Sequence, residues 1–80
     1  MIDDATLSAI KARLAKATPG RWVSYIEGRD HMSGSDFIMT DGEDIYLSGA
    51  THDDQDFIAN ARRDIELLVA EVERLRGKPA

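Results

Sequence analysis

The chain contains no cysteine, and that absence removes a disulfide framework, a thiolate-held zinc ribbon and a thiol nucleophile together. Proline is nearly as scarce, with only Pro19 and Pro79. Long apolar runs are missing too: the longest, Leu67-Leu68-Val69-Ala70, is far short of the about 20 residues that cross a bilayer. The opening Met1-Ile2-Asp3-Asp4 is acidic and has no apolar h-region, which argues against a signal peptide. Cations are outnumbered, ten Lys and Arg against fifteen Asp and Glu, for a net charge of −5. Direct binding to nucleic acid through its phosphates is therefore not expected.

What is present is one small domain, residues 1–80, with a globular hydrophobic content of 42%. A single core of this size rarely supplies more than roughly 3–5 kcal/mol. Without disulfides or a metal motif, reinforcement has to come from unusually good packing or from self-association.

The residue spacing predicts an α+β fold of order α-β-β-β-α: a small antiparallel three-stranded sheet with two helices packed on one face. The first helix is expected over 3–17. Asp3 or Asp4 caps it, Leu7, Ile10, Leu14 and Ala17 share one face, and Pro19-Gly20 stops it. Strands are expected at 21–27, 36–40 and 44–48, the last two flanking the hairpin signal Asp41-Gly42. A two-residue turn pairs Ile38 with Ile45. A three-residue Thr40-Asp41-Gly42 loop, with Gly42 left-handed, pairs Phe37 with Ile45. The second register is preferred, because it gathers Phe37, Met39, Ile45 and Leu47 on one face and leaves Asp36, Ile38, Asp44 and Tyr46 on the other. Trp22 is expected to anchor the first helix to the sheet. The final helix is expected over 53–76, closed by Gly77 and Pro79.

That last helix carries the clearest pattern. Ile58, Ala61, Ile65, Leu68, Val72 and Leu75 are spaced 3, 4, 3, 4, 3, a heptad seam with β-branched residues at a and mostly Leu at d. Glu71 and Arg76 occupy g and the following e, an attractive pair across a parallel dimer. Two readings stand open: the stripe, broadened by Phe57 and Val69, packs on its own sheet, or it is shared with a second copy as a homodimer.

Charge is segregated. Residues 1–26 carry +2 and residues 57–80 carry +1. Between them, nine acids against Arg29 alone leave −8. Glu27, Asp30, Asp36, Asp41, Glu43, Asp44, Asp53 and Asp54 therefore form a candidate acidic partner-binding face. Turn and cap chemistry, which favours Asp, is the competing explanation. Tyr25 and Tyr46 are candidate aromatic contacts, expected to join Ile38 in an apolar patch on the sheet face away from the helices.

No catalytic residue, metal or cofactor is assigned. The His52-Asp53-Asp54-Gln55-Asp56 cluster has neither calcium-loop order nor HExxH spacing, and helix capping explains it. No G-x-S-x-G elbow, P-loop or Rossmann glycine pattern occurs.

Two segments carry a resemblance. They are Ala17-Thr18-Pro19-Gly20-Arg21-Trp22 and the run from Asp56-Phe57-Ile58-Ala59 to Glu73-Arg74-Leu75-Arg76. Together they cover roughly half the chain. It resembles short phage and bacterial proteins framed by an A-T-P-G-x-W turn and a D-x-x-F-I-A-x-A-R-x-D-I-x-x-L-L-x-E-x-x-R-L-R helix, the phage early-region Ead-type accessory proteins. The frame's usual Pro before the Trp is Arg21 here. The resemblance implies a phage or mobile-element origin and the cytoplasm of a bacterial host; it implies no activity and transfers no functional residues. The expected function is that of a small acidic, non-enzymatic protein that binds and inhibits a host protein with a basic surface. The target is expected to be a defence nuclease complex, met by a nucleic-acid-mimicking face as in anti-CRISPR proteins. The alternatives are an immunity protein neutralising a toxin and a self-associating structural module.

Overall fold

The computed structural model describes residues 2–30 and 34–77. His31, Met32, Ser33 and Pro79 lie outside them. The elements are α1 (Asp4–Lys16), β1 (Val23–Tyr25), β2 (Phe37–Met39) and α2 (His52–Leu75).

Both helices start where their side chains satisfy free N–H groups. Asp3 Oδ1 accepts the Thr6 N–H at 2.7 Å and caps α1. This bond holds the Asp3 carboxyl below the usual carboxylate range. Thr51 and Asp54 form a reciprocal capping box on α2, at 3.0 and 3.1 Å. Gly77, with φ +74°, takes the left-handed conformation that ends α2.

The sheet is smaller than the spacing predicts. β1 and β2 pair antiparallel, Val23 with Met39, Ser24 with Ile38 and Tyr25 with Phe37. The expected strand at 44–48 is reduced to one bridge, in which Ile45 exchanges both backbone hydrogen bonds with Ile38 at 2.9 Å. The preferred register is therefore corrected to the two-residue-turn alternative, and Gly42 is not left-handed. The reason is the Thr40 hydroxyl, which accepts the Gly42 N–H at 2.9 Å and donates to the Glu43 carbonyl at 3.1 Å. That side chain shapes the turn without a left-handed residue. The one-residue slip exchanges the two faces: Ile38 is fully buried, while Met39 is exposed and Phe37 half-exposed.

The helices do not share the sheet. α2 packs on β1 and β2, whereas α1 packs along α2 instead of on the strands. The result has a head, formed by the sheet and the first turns of α2, and a stalk, formed by α1 running antiparallel to the rest of α2. Arg62 Nε donates to the Thr18 carbonyl at one end of the stalk. Arg76 reaches Asp4 at 2.9 Å and the Ile2 carbonyl at the other. Arg76 is thus held within its own chain, and Glu71 pairs with Arg74, so the expected Glu71–Arg76 pair is not standing ready. Trp22 is half-buried at the head–stalk junction, where its indole N–H donates to the Thr18 carbonyl at 3.0 Å.

The buried side chains are few. Among the described residues the apolar core is Leu7, Ile26, Ile38 and Ala59. Gln55 joins them at 3% exposure, its amide nitrogen donating to Ser24 Oγ, Tyr25 O and Phe37 O at 2.9, 3.0 and 3.1 Å. Glu73 is buried beside Lys11 at 2.9 Å.

Candidate functional site

Alternation along β1 turns Ser24 and Ile26 toward α2 and Tyr25 away from it. On β2, Phe37 faces the same way as Tyr25. Their rings stack at 5.3 Å, and Tyr46 continues the row 5.9 Å beyond Phe37. Such offset contacts suit aromatic quadrupoles. The outer face of the head thus carries a three-ring ladder, ending in Tyr46 at 64% exposure. Tyr25 and Tyr46 do share this face as expected, but their companion is Phe37, not the buried Ile38.

The eight candidate acids divide into two kinds. Three have structural work. Asp30 accepts the Ile26 N–H at 2.7 Å and pairs with Arg29, and both contacts hold its carboxyl below the usual range. Asp36 accepts the Glu27 N–H at 2.8 Å and lies 3.2 Å from His52 Nε2. Asp54 completes the capping box. Asp56, left outside the candidate face, receives both Arg29 guanidinium nitrogens at 2.8 and 3.1 Å. This fork lowers the Asp56 carboxyl and raises the guanidinium.

The other five, Glu27, Asp41, Glu43, Asp44 and Asp53, are exposed and form no ion pair among the described residues. They lie toward opposite ends of the strands, on either side of the ring row. Glu27 and Asp53 stand where β1 meets the start of α2. Asp41, Glu43 and Asp44 stand at the Pro19–Gly20 end, where the Asp41 N–H donates to the Pro19 carbonyl at 3.3 Å.

The heptad stripe is not buried on its own sheet. The line of α2 that meets the sheet and α1 runs through Gln55, Ala59, Arg62, Val69 and Glu73. The stripe is rotated from that line by about 110°, at 100° per residue. Ile58, Ile65, Leu68 and Leu75 are exposed, and Ala61 and Val72 half-exposed. With Ile10 and Leu14 of α1, the stripe from Ile58 to Val72 lines an open apolar groove of about 460 Å³.

Compared with family models, curated proteins and solved structures, the chain matches none of them. No described helix is long and apolar enough to cross a membrane.

Proposed function

We propose that this chain is a small non-enzymatic accessory protein, of phage or mobile-element type, that binds a host protein bearing a basic surface. The observation that carries the reading is the Tyr25–Phe37–Tyr46 ladder, half-exposed at Tyr25 and Phe37 and exposed at Tyr46, standing between two groups of carboxylates that form no ion pair among the described residues. Aromatic anchors inside a polar rim are the usual energetic layout of a protein-binding surface. Carboxylates that no internal cation neutralises steer a basic partner and fix its orientation. The acids with structural work are subtracted from the expected face, and five remain: Glu27, Asp41, Glu43, Asp44 and Asp53.

The decisive experiment is affinity capture from host lysate with mass spectrometry, comparing three forms of the protein. The natural chain should retain a partner of basic surface. The variant carrying Asp41→Lys, Glu43→Lys and Asp44→Lys should lose it with its fold intact, because these carboxylates make no ion pair among the described residues. Tyr46→Ala should weaken capture by about tenfold or more. Identical captured proteins from all three would refute the reading.

A further inference from the structure

We infer that the groove between α1 and α2 is filled by a second copy of this chain, with α2 lying parallel to its counterpart about a two-fold axis. This stands independently of the acidic and aromatic surface on the head.

The argument begins with area. A folded monomer of 8.9 kDa is expected to expose about 4,800 Å². This chain exposes 5914 Å². The excess, about 1,100 Å², is of the size that each partner removes from water in a stable complex, about 800 Å². Shape agrees. The radius of gyration is 15.0 Å, against about 11.6 Å for a compact domain of this length. Four of the nine large hydrophobics exposed among the described residues lie on this one stripe, Ile58, Ile65, Leu68 at 64% and Leu75 at 70% exposure.

Sequence and charge then select the occupant. The a positions of the stripe are Ile58, Ile65 and Val72, and Leu fills d at 68 and 75, the preference of a parallel pair. The stripe's outer edge carries Asp64 and Glu71 at g. An antiparallel partner sets these two acids against each other, whereas a parallel partner turns them toward the wall formed by α1. That wall carries Arg13, which lines the groove and has no ion pair among the described residues. The Lys11–Glu73, Thr18–Arg62 and Asp4–Arg76 contacts fix the level of α1 against α2. Because the helices run antiparallel, these contacts set Arg13 level with residues 67–71 of α2. A two-fold axis along α2 preserves levels, so the second copy's Glu71, which in the single copy pairs with the exposed Arg74, comes within reach of Arg13. Two α1–α2 pairs joined in this way make a four-helix stalk with a head from each copy at one end.

The test is light scattering and sedimentation of the full chain at micromolar concentration, expected to give twice 8.9 kDa. Leu68→Glu alters a side chain exposed in the single copy, so its circular dichroism should match the natural chain while the dimer dissociation constant rises on the order of 100-fold. Since the chain has no cysteine, Leu75→Cys supplies one defined thiol. Mild oxidation should join it to itself in the dimer. A monomer at all concentrations would overturn the inference, as would a dimer indifferent to Leu68→Glu. A dimer in which Leu75→Cys links only to an Ile58→Cys chain would overturn the parallel arrangement.

Discussion

Gln55 joins β1, β2 and α2 through one amide nitrogen, and its replacement tests whether the head is held by that polar contact. The nitrogen has two hydrogens and three acceptors, at 2.9, 3.0 and 3.1 Å, so one hydrogen is shared. At about 1 kcal/mol for each net hydrogen bond, Gln55→Leu should lose about 2 kcal/mol, the two strand carbonyls having lost a buried donor. Against a total stability of roughly 3–5 kcal/mol this is about half. Gln55→Glu keeps the shape but aims a carboxylate at two carbonyl oxygens, so it should be the worse variant at pH 7. The folded-state pKa of this new acid must lie above its unfolded value of about 4.3. Its stability deficit against the natural chain should therefore grow as pH rises through the raised pKa and shrink below about pH 4. Urea unfolding at pH 7 and pH 4, at one fixed protein concentration, measures both effects. A Gln55→Leu midpoint within about 0.5 kcal/mol of the natural chain would refute the reasoning, as would a Gln55→Glu deficit equal at the two pH values.

Two further outcomes are expected. Gly20 has φ +95°, and a Cβ there would stand 2.2 Å from the Asp41 carboxylate; Gly20→Ala should cost about 1–2 kcal/mol, and adding Asp41→Ala should recover the steric share but not the roughly 1 kcal/mol owed to the backbone. Asp3, Asp30 and Asp56 all have lowered carboxyl pKa values, so the stability they contribute is fully present above about pH 4 and is lost as pH falls through the lower folded values; acid titration by circular dichroism checks this, and Arg29→Gln should flatten the part due to Asp30 and Asp56.

Helix ends were legible because their signals are local. Asp3 and Thr51 each cap a donor within three residues, and Gly77 acts at its own φ. The sheet was not legible to the same degree. Its register turns on the Thr40 hydroxyl, and a slip of one residue exchanges Phe37 with Ile38. The period of the α2 stripe was plain, yet 3-4 spacing is the same for a self-covered face and a shared seam, so spacing alone does not reveal what covers it. Gln55 was missed because it sits among acids that read as caps; its signal was its position four residues before Ala59 on the buried line. Among the acids of the expected face, Asp36 accepts the Glu27 N–H from nine residues away and meets His52 across sixteen, contacts that no short local window contains.

The two surfaces should answer salt with opposite sign, and this follows from where the charge sits. Each head carries five carboxylates without ion pairs among the described residues, whereas the seam residues 58, 61, 65, 68, 72 and 75 are all uncharged. A parallel pair places both heads at the same end, because the sheet packs on the first turns of each α2. Like charges then face each other across the dimer, and their repulsion opposes association at low ionic strength. Raising salt from 0.01 to 0.1 M shortens the screening length from about 30 to 10 Å and removes much of that repulsion. The apolar seam gains nothing from charge and loses nothing to screening, and the two-fold axis makes the Arg13–Glu71 contact twice, two exposed pairs worth about 1 kcal/mol or less each. Self-association should therefore tighten or hold steady as salt rises, while capture of a basic partner by the head should weaken. Sedimentation and partner binding, each at 0.01, 0.1 and 0.5 M salt, separate the two. Self-association that weakens by a hundredfold or more over this range would mean that charge, not the seam, holds the copies together, since a hundredfold is about 2.8 kcal/mol and exceeds what two screened surface pairs supply.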